Sequence, residues 1–104
     1  MNYFIIPGLV KNKEELAHSL ISKVENEFNI TLEEMRDKTR YRGIVVPRQI
    51  LCYVLKKRAG LTLSRIGLKV DRDHTTVIYS INQVTNFLSF DKWYQEKIER
   101  IMNN

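Results

Sequence analysis

Apolar residues recur every three or four positions along most of this chain, a spacing that fits helices and little else. Leu16, Leu20, Val24 and Phe28 fall four apart and line one helix face. Ile50, Leu51, Val54 and Leu55 make a second stripe, Val77, Ile81, Val84 and Leu88 a third, and Tyr94, Ile98 and Ile101 a fourth. With only 4 Gly and 2 Pro, the chain also lacks the turn residues that an all-β fold of many short strands requires. At 104 residues, the expectation is one all-α domain over 1–104, a small helical bundle, with 1–11 as an N-terminal extension.

Start and stop signals divide the stripes. Asn12 and Glu15 have capping-box spacing, and Asn29 is a stop. Thr31 with Glu34 predicts a short helix to about Lys38, followed by an exposed basic loop, Thr39-Arg40-Tyr41-Arg42-Gly43. Pro47 reads as a first-turn proline and Gly60 as a C′ residue of the most apolar helix, which belongs at the centre of the core. Cys52 lies on that helix as a small buried hydrophobe. Thr62 caps a helix from Leu63 to about Lys69, Val70-Asp71-Arg72 is a tight turn, and Asp73 caps a helix from His74 to about Phe87. Asp91 caps the last helix, on which Trp93 and Tyr94 are expected in the core, whereas His18 is expected to face solvent. Tyr41 fits either base stacking or core cover. The apolar Tyr3–Ile6 segment fits either docking on the bundle or dimerisation, and the oligomeric state stays open.

Charge is concentrated in the middle of the chain. Residues 1–35 carry net −3, residues 36–72 carry eleven Lys/Arg against two Asp, net +9, and residues 73–104 carry net −1. Such a block is the footprint of a surface that binds a polyanion. Other classes are disfavoured. No apolar run approaches the roughly 18–20 residues that span a bilayer, and the opening apolar run has no basic residues before it, as a signal peptide would. Cys52 is the only cysteine, so no intramolecular disulfide forms, and the expected compartment is a reducing cytoplasm. Cys52, His18 and His74 lack metal-ligand spacing. Asp73, His74 and Thr75 are consecutive at a helix start, so their side chains diverge and cannot act as a triad. No catalytic residue, metal or cofactor is expected.

Two helices joined by a three- or four-residue turn, over 62–87, are the geometry of a helix-turn-helix. Its second helix would present Asp73, His74, Thr75 and Thr76 to base edges in the major groove. All four can hydrogen-bond, and each Thr adds a methyl that can lie against thymine.

Three strings then carry a resemblance: Val46-Pro47-Arg48-Gln49-Ile50, Leu63-Ser64-Arg65-Ile66-Gly67 and Arg72-Asp73-His74-Thr75-Thr76-Val77. Together, over about residues 20–100, they resemble the C-terminal DNA-binding domain of the bacterial replication initiator DnaA. That resemblance implies a Trp-repressor-like helix-turn-helix reading a short asymmetric duplex site, the DnaA box. By position it implies base contacts from Asp73, His74, Thr75 and Thr76, an approach to the groove by Leu63 and Ser64, and a minor-groove arginine at Arg40. It further implies phosphate contacts at or near Arg42, Arg48, Lys56 and Arg72. Departures are equally specific. Val70-Asp71 replaces the family's aromatic and glycine-containing turn, one residue shorter, which would tilt the second helix. Val46 stands where Arg is common. No Gly-x-x-x-x-Gly-Lys-Ser/Thr loop is present, so no nucleotide is expected, and the initiator's ATPase domain is missing. The expectation is a duplex-DNA reader in replication initiation or its regulation, either free-standing, as Met1-Asn2-Tyr3 and the extra N-terminal segment suggest, or a fragment cut from a larger protein. The alternative is a protein- or RNA-binding adaptor that keeps the fold without box recognition.

Overall fold

The computed structural model describes residues 12–103, which form six helices and no strand: α1 (Lys13–Phe28), α2 (Leu32–Met35), α3 (Arg42–Lys57), α4 (Leu63–Val70), α5 (His74–Leu88) and α6 (Lys92–Asn103). Five of them begin where a side-chain oxygen accepts a backbone N–H that the helix itself leaves unpaired. Asn12 Oδ1 takes Glu15 N–H at 2.8 Å, and Asp73 Oδ1 takes Thr76 N–H at 2.9 Å. Thr62 Oγ1 takes Arg65 N–H at 3.2 Å, and Asp91 Oδ1 takes Trp93 N–H at 2.9 Å. Thr31 and Glu34 close a full capping box, and Glu25 of α1 also accepts the Leu32 N–H. The ends follow the sequence as well. Asn29 sits at φ 56, and Gly60, at φ 69, turns the chain out of α3.

Two boundaries differ from the sequence reading. α2 ends at Met35, three residues before Lys38, because Arg36 already closes its last turn. α3 begins at Arg42 and takes in Gly43, which, with the early end of α2, shifts the basic loop to residues 36–41. Pro47 is therefore the sixth residue of α3, inside the helix. It gives up one helical hydrogen bond to the Gly43 carbonyl, which lies on the exposed first turn, within reach of water. The Tyr3–Ile6 expectation lies outside the described residues.

α3 packs against every other helix. Its Ile50, Leu51, Val54 and Leu55 are fully shut off from water and join Leu20 and Val24 of α1, Met35 of α2, Ile66 and Val70 of α4, Val77 and Val84 of α5, and Ile101 of α6. Cys52 is part of the same cluster, and burial pushes its thiol up to about 12. Tyr94 is buried and stacks on Phe87 at 4.6 Å between ring centroids. Trp93 is 45% exposed, because it stands one residue off the Tyr94–Ile98–Ile101 stripe and is turned about 100° round the helix. His18 is exposed. Two ion clusters tie α1 to its neighbours: Glu14 with Arg65 and Lys69 of α4, and Glu27 with Lys97 and Arg100 of α6.

Gly67 sets how closely α4 meets the turn that follows it. A Cβ there would run into the backbone carbonyl oxygen of Arg72, and the Arg72 N–H already bonds the Gly67 carbonyl at 2.9 Å. Gly67→Ala is expected to lower the urea midpoint by an amount equal to about 1–3 kcal/mol, the usual cost of overpacking. Cys52 yields a second test. In the folded protein at pH 8 it is expected to resist a disulfide-exchange reagent for as long as the chain stays folded, and to react at once in denaturant.

Candidate nucleic-acid interface

Thr62 starts α4, and eight residues later the chain must reverse without lengthening the turn. Asp71 does this by adopting φ 59, the left-handed conformation that Asp tolerates better than most residues. Asp71 thus makes the bend for which the family resemblance expects glycine. Asp73 then caps α5, and the Thr76 N–H bonded to its carboxylate holds that carboxyl below its ordinary value.

This chain path opens a depression of about 910 Å³ between α4 and α5. Ser64, Arg72, Asp73, His74, Thr75 and Thr76 line it, so six of the sequence-predicted residues share one surface. Asp73, His74 and Thr75 are exposed and Thr76 is half-buried. Ser64 Oγ lies 2.8 Å from His74 Nε2, which joins the start of α4 to the start of α5. Leu63 is half-buried against the core cluster, so Ser64 is the member of that pair that faces outward.

Arg36, Lys38 and Leu68 also line the depression and were not singled out from the sequence. The signal for Leu68 was its position four residues after Ser64, on the same face of α4. It is 76% exposed, an apolar group beside the polar start of α5. Arg36 and Lys38 belong to the basic block, but nothing in their spacing separates them from their neighbours.

The predicted cations part ways. Arg40 is exposed on the loop before α3, and Tyr41 beside it is 71% exposed with its ring against Gly43, outside the core. Arg42 is exposed on the first turn of α3, in a smaller hollow with Phe28, Pro47, Trp93 and Tyr94. Lys56 is exposed, its Nζ 3.4 Å from the Leu61 carbonyl just ahead of Thr62. Arg48 does not lie with these exposed cations. It is buried, donating Nε–H to the Met35 carbonyl at 2.7 Å and an Nη2 hydrogen to the Asp37 carbonyl at 2.8 Å. The cause is local: α2 ends in free carbonyls directly beneath the α3 surface that carries Arg48. Arg72 is half-buried and donates to the carbonyls of Arg36, Asp37, Val70 and Asp71. Among the described residues no group of His, Cys, Asp and Glu could hold a metal, and no helix is long and apolar enough to cross a membrane.

A short capped helix, a three-residue reversal and a second helix that opens with three polar residues over a polar depression define a helix-turn-helix domain. The family model described as "Bacterial dnaA protein helix-turn-helix" matches residues 17–84, and the chain belongs to that family. It is 35% identical over 95 residues to the chromosomal replication initiator protein DnaA of Thermoanaerobacter sp. (strain X514), covering 89% of this chain and 21% of that protein. It is 33% identical over 100 residues to the same-named protein of Flavobacterium psychrophilum, covering 93% of this chain and 21% of the relative. Against that of Wolbachia pipientis wMel it is 39% identical over 80 residues, covering 76% and 17%. The chain thus spans about a fifth of the length of the curated relatives it matches. Membership of this helix-turn-helix family points to DNA binding.

The cap on α5 makes a pH-dependent prediction. Asp73 has a folded value below its ordinary 3.8, so its contribution to stability is fully present above that value and is lost as pH falls through the lower folded value. Asp73→Ala should therefore unfold at lower urea than the parent at neutral pH, and the gap between them should close in acid below 3.8. Parallel urea titrations at neutral and acid pH measure both. A gap that stays constant on acidification would show that the carboxylate is not the cap.

Proposed function

We propose that this chain binds double-stranded DNA sequence-selectively at DnaA-box-like sites, with α5 in the major groove and Arg40 in the adjoining minor groove. The observation that carries this reading is the exposed Asp73-His74-Thr75 run at the start of α5, on the rim of a depression also lined by Arg36, Lys38 and Arg72. In this reading Asp73, His74, Thr75 and Thr76 face base edges, Ser64 approaches the same groove, and Leu68 adds an apolar surface for a thymine methyl. Arg40 extends along the minor groove, where an A·T-rich stretch deepens the negative potential. The names of the relatives suggest that the sites lie in or near replication origins, and that the chain acts in initiation or its regulation. The sequence has no phosphate-cradling Gly-x-x-x-x-Gly-Lys loop, so this chain's part is to read DNA without a nucleotide of its own.

The structure also sharpens the electrostatics. Arg36, Arg48 and Arg72 are occupied by backbone carbonyls, and Arg65 and Lys69 pair with Glu14. Outside these, Arg40, Arg42, Lys56, Lys57 and Arg58 are exposed with no carboxylate partner among the described residues, and Lys38, also exposed, pairs with Asp71 at 3.4 Å. With about five or six phosphates neutralised, log K should fall with log salt at a slope of roughly −4.5 to −5.5.

The test is to select a duplex from a random pool and titrate it across salt with the parent, His74→Ala and Lys56→Ala. His74→Ala should lose about 1–3 kcal/mol of discrimination at one or two base pairs and little on random duplex. Lys56→Ala should weaken all duplexes alike and reduce the slope by about 1. A flat salt response, or equal loss on selected and random duplex for His74→Ala, would refute the reading.

A further inference from the structure

Loop 36–41 carries Arg40 and has no regular secondary structure, yet three arginines tie it to its neighbours through backbone carbonyls. From α3, Arg48 takes the carbonyls of Met35 and Asp37. From the turn between α4 and α5, Arg72 takes those of Arg36 and Asp37 together with those of its own turn, Val70 and Asp71. From the loop itself, Arg36 reaches back to the carbonyls of Leu68 and Lys69 on the last turn of α4, both at 2.8 Å. The Asp37 carbonyl is shared by Arg48 and Arg72, so the α3 side and the helix-turn-helix side meet at one atom.

We infer that Arg72, with Arg36 and Arg48, is a positioning residue: the three guanidiniums fix the Arg40 loop to the helix-turn-helix, so that Arg40 and α5 keep one register. The chemistry favours this role over phosphate binding. Helix ends leave free carbonyls, and the C-terminus of α4 carries partial negative charge that attracts a cation. A guanidinium spreads five donors over a rigid planar fork and can bridge carbonyls of two separate segments, whereas an ammonium has three donors on a single nitrogen at the end of a flexible stem. Among the described residues none of the three has a carboxylate partner, and Arg48 and Arg72 stand close enough that, after burial, the charge of Arg72 is the next influence depressing Arg48. Holding three like charges on carbonyls alone is a costly way to order a loop. It gives Arg40 a fixed distance from the start of α5, which is what reading two grooves at once demands.

The consequence for Arg40 rests on the minor-groove reading above; the clasp itself does not, and the experiment separates the two. Arg72→Lys and Arg36→Lys keep the charge and remove the fork, and a melting curve confirms that each folds. The first measurement is amide hydrogen exchange at Asp37, Thr39 and Tyr41, whose N–H groups bond the Glu34 carbonyl, the Asp37 carboxylate and the Thr39 hydroxyl. Exchange there should quicken tenfold or more in Arg72→Lys while the α5 amides keep their parent rates. Unchanged loop exchange in both variants overturns the clasp.

The second measurement is affinity for duplexes with A·T-rich or G·C-rich flanks. Arg72→Lys should lose about fivefold to tenfold on the A·T flank, the scale of one mismatched base pair, and less than twofold on the G·C flank. The double variant Arg40→Ala/Arg72→Lys should bind like Arg40→Ala alone. An equal loss on both flanks, where Arg40→Ala itself is flank-dependent, overturns the positioning role and makes Arg72 a phosphate contact. If Arg40→Ala loses equally on both flanks, the minor-groove reading has failed. Quickened loop exchange then still upholds the clasp, and unchanged exchange still removes it.

Discussion

Ile50, Leu51, Val54 and Leu55 are removed from water on α3, and each of the other helices closes part of that surface. A helix buried on so many sides cannot turn or slide without opening a cavity, at a cost of several kcal/mol for each large side chain uncovered. Its two ends are therefore fixed points. The loop that leads into α3 carries Arg40, and the segment that leaves it, through Gly60 and Leu61, delivers Thr62 to the start of α4. The DNA-reading surface we propose is assembled from what lies just before and just after this one helix, together with α5, its most extensive packing partner.

The basic block does two kinds of work. Part of it is structural: Arg48 and Arg72 complete the end of α2 and the α4–α5 turn, and Arg65 and Lys69 join α4 to Glu14 of α1. Exposed ion pairs of the second sort add little stability, but they lower the positive charge along the outer side of α4. The remaining exposed cations cluster in the loop before α3 and at its C-terminal end. The positive charge is thus divided between the two ends of α3, which suits the proposed placement of a duplex with its phosphates on either side of α5.

Much of this was legible in the residues because it depends on local chemistry. Asn12, Thr31, Thr62, Asp73 and Asp91 cap helices through short-range bonds that their spacing already implies, and the stripes on α1, α3, α5 and α6 place the core. The α5 start was legible for the same reason: a cap followed by three polar residues is a local pattern. What was not legible depends on three-dimensional neighbours. Pro47 was read as a first-turn residue because proline favours that position, yet tertiary packing carries α3 back to Arg42. Trp93 was assigned to the core by its chemistry, but its helical angle puts it at the rim. Arg48 and Arg72 look like any other cations in a run of eleven; only the folded chain shows which carbonyls lie within their reach. Leu68 is visible as an exposed apolar residue only once α4 is docked.

The central claim is that the loop before α3 and the start of α5 form one surface for duplex DNA, with the α6 side of the bundle turned away. Backbone amide shifts during titration with a selected duplex test it directly. The account predicts that the changes fall at residues 36–42, 56–58, 62–68 and 71–79, all saturating at the same duplex concentration, while Phe28, Trp93 and the rest of α6 stay in place. Changes centred on Phe28, Trp93 and α6, or loop and α5 amides that saturate at different concentrations, would contradict it.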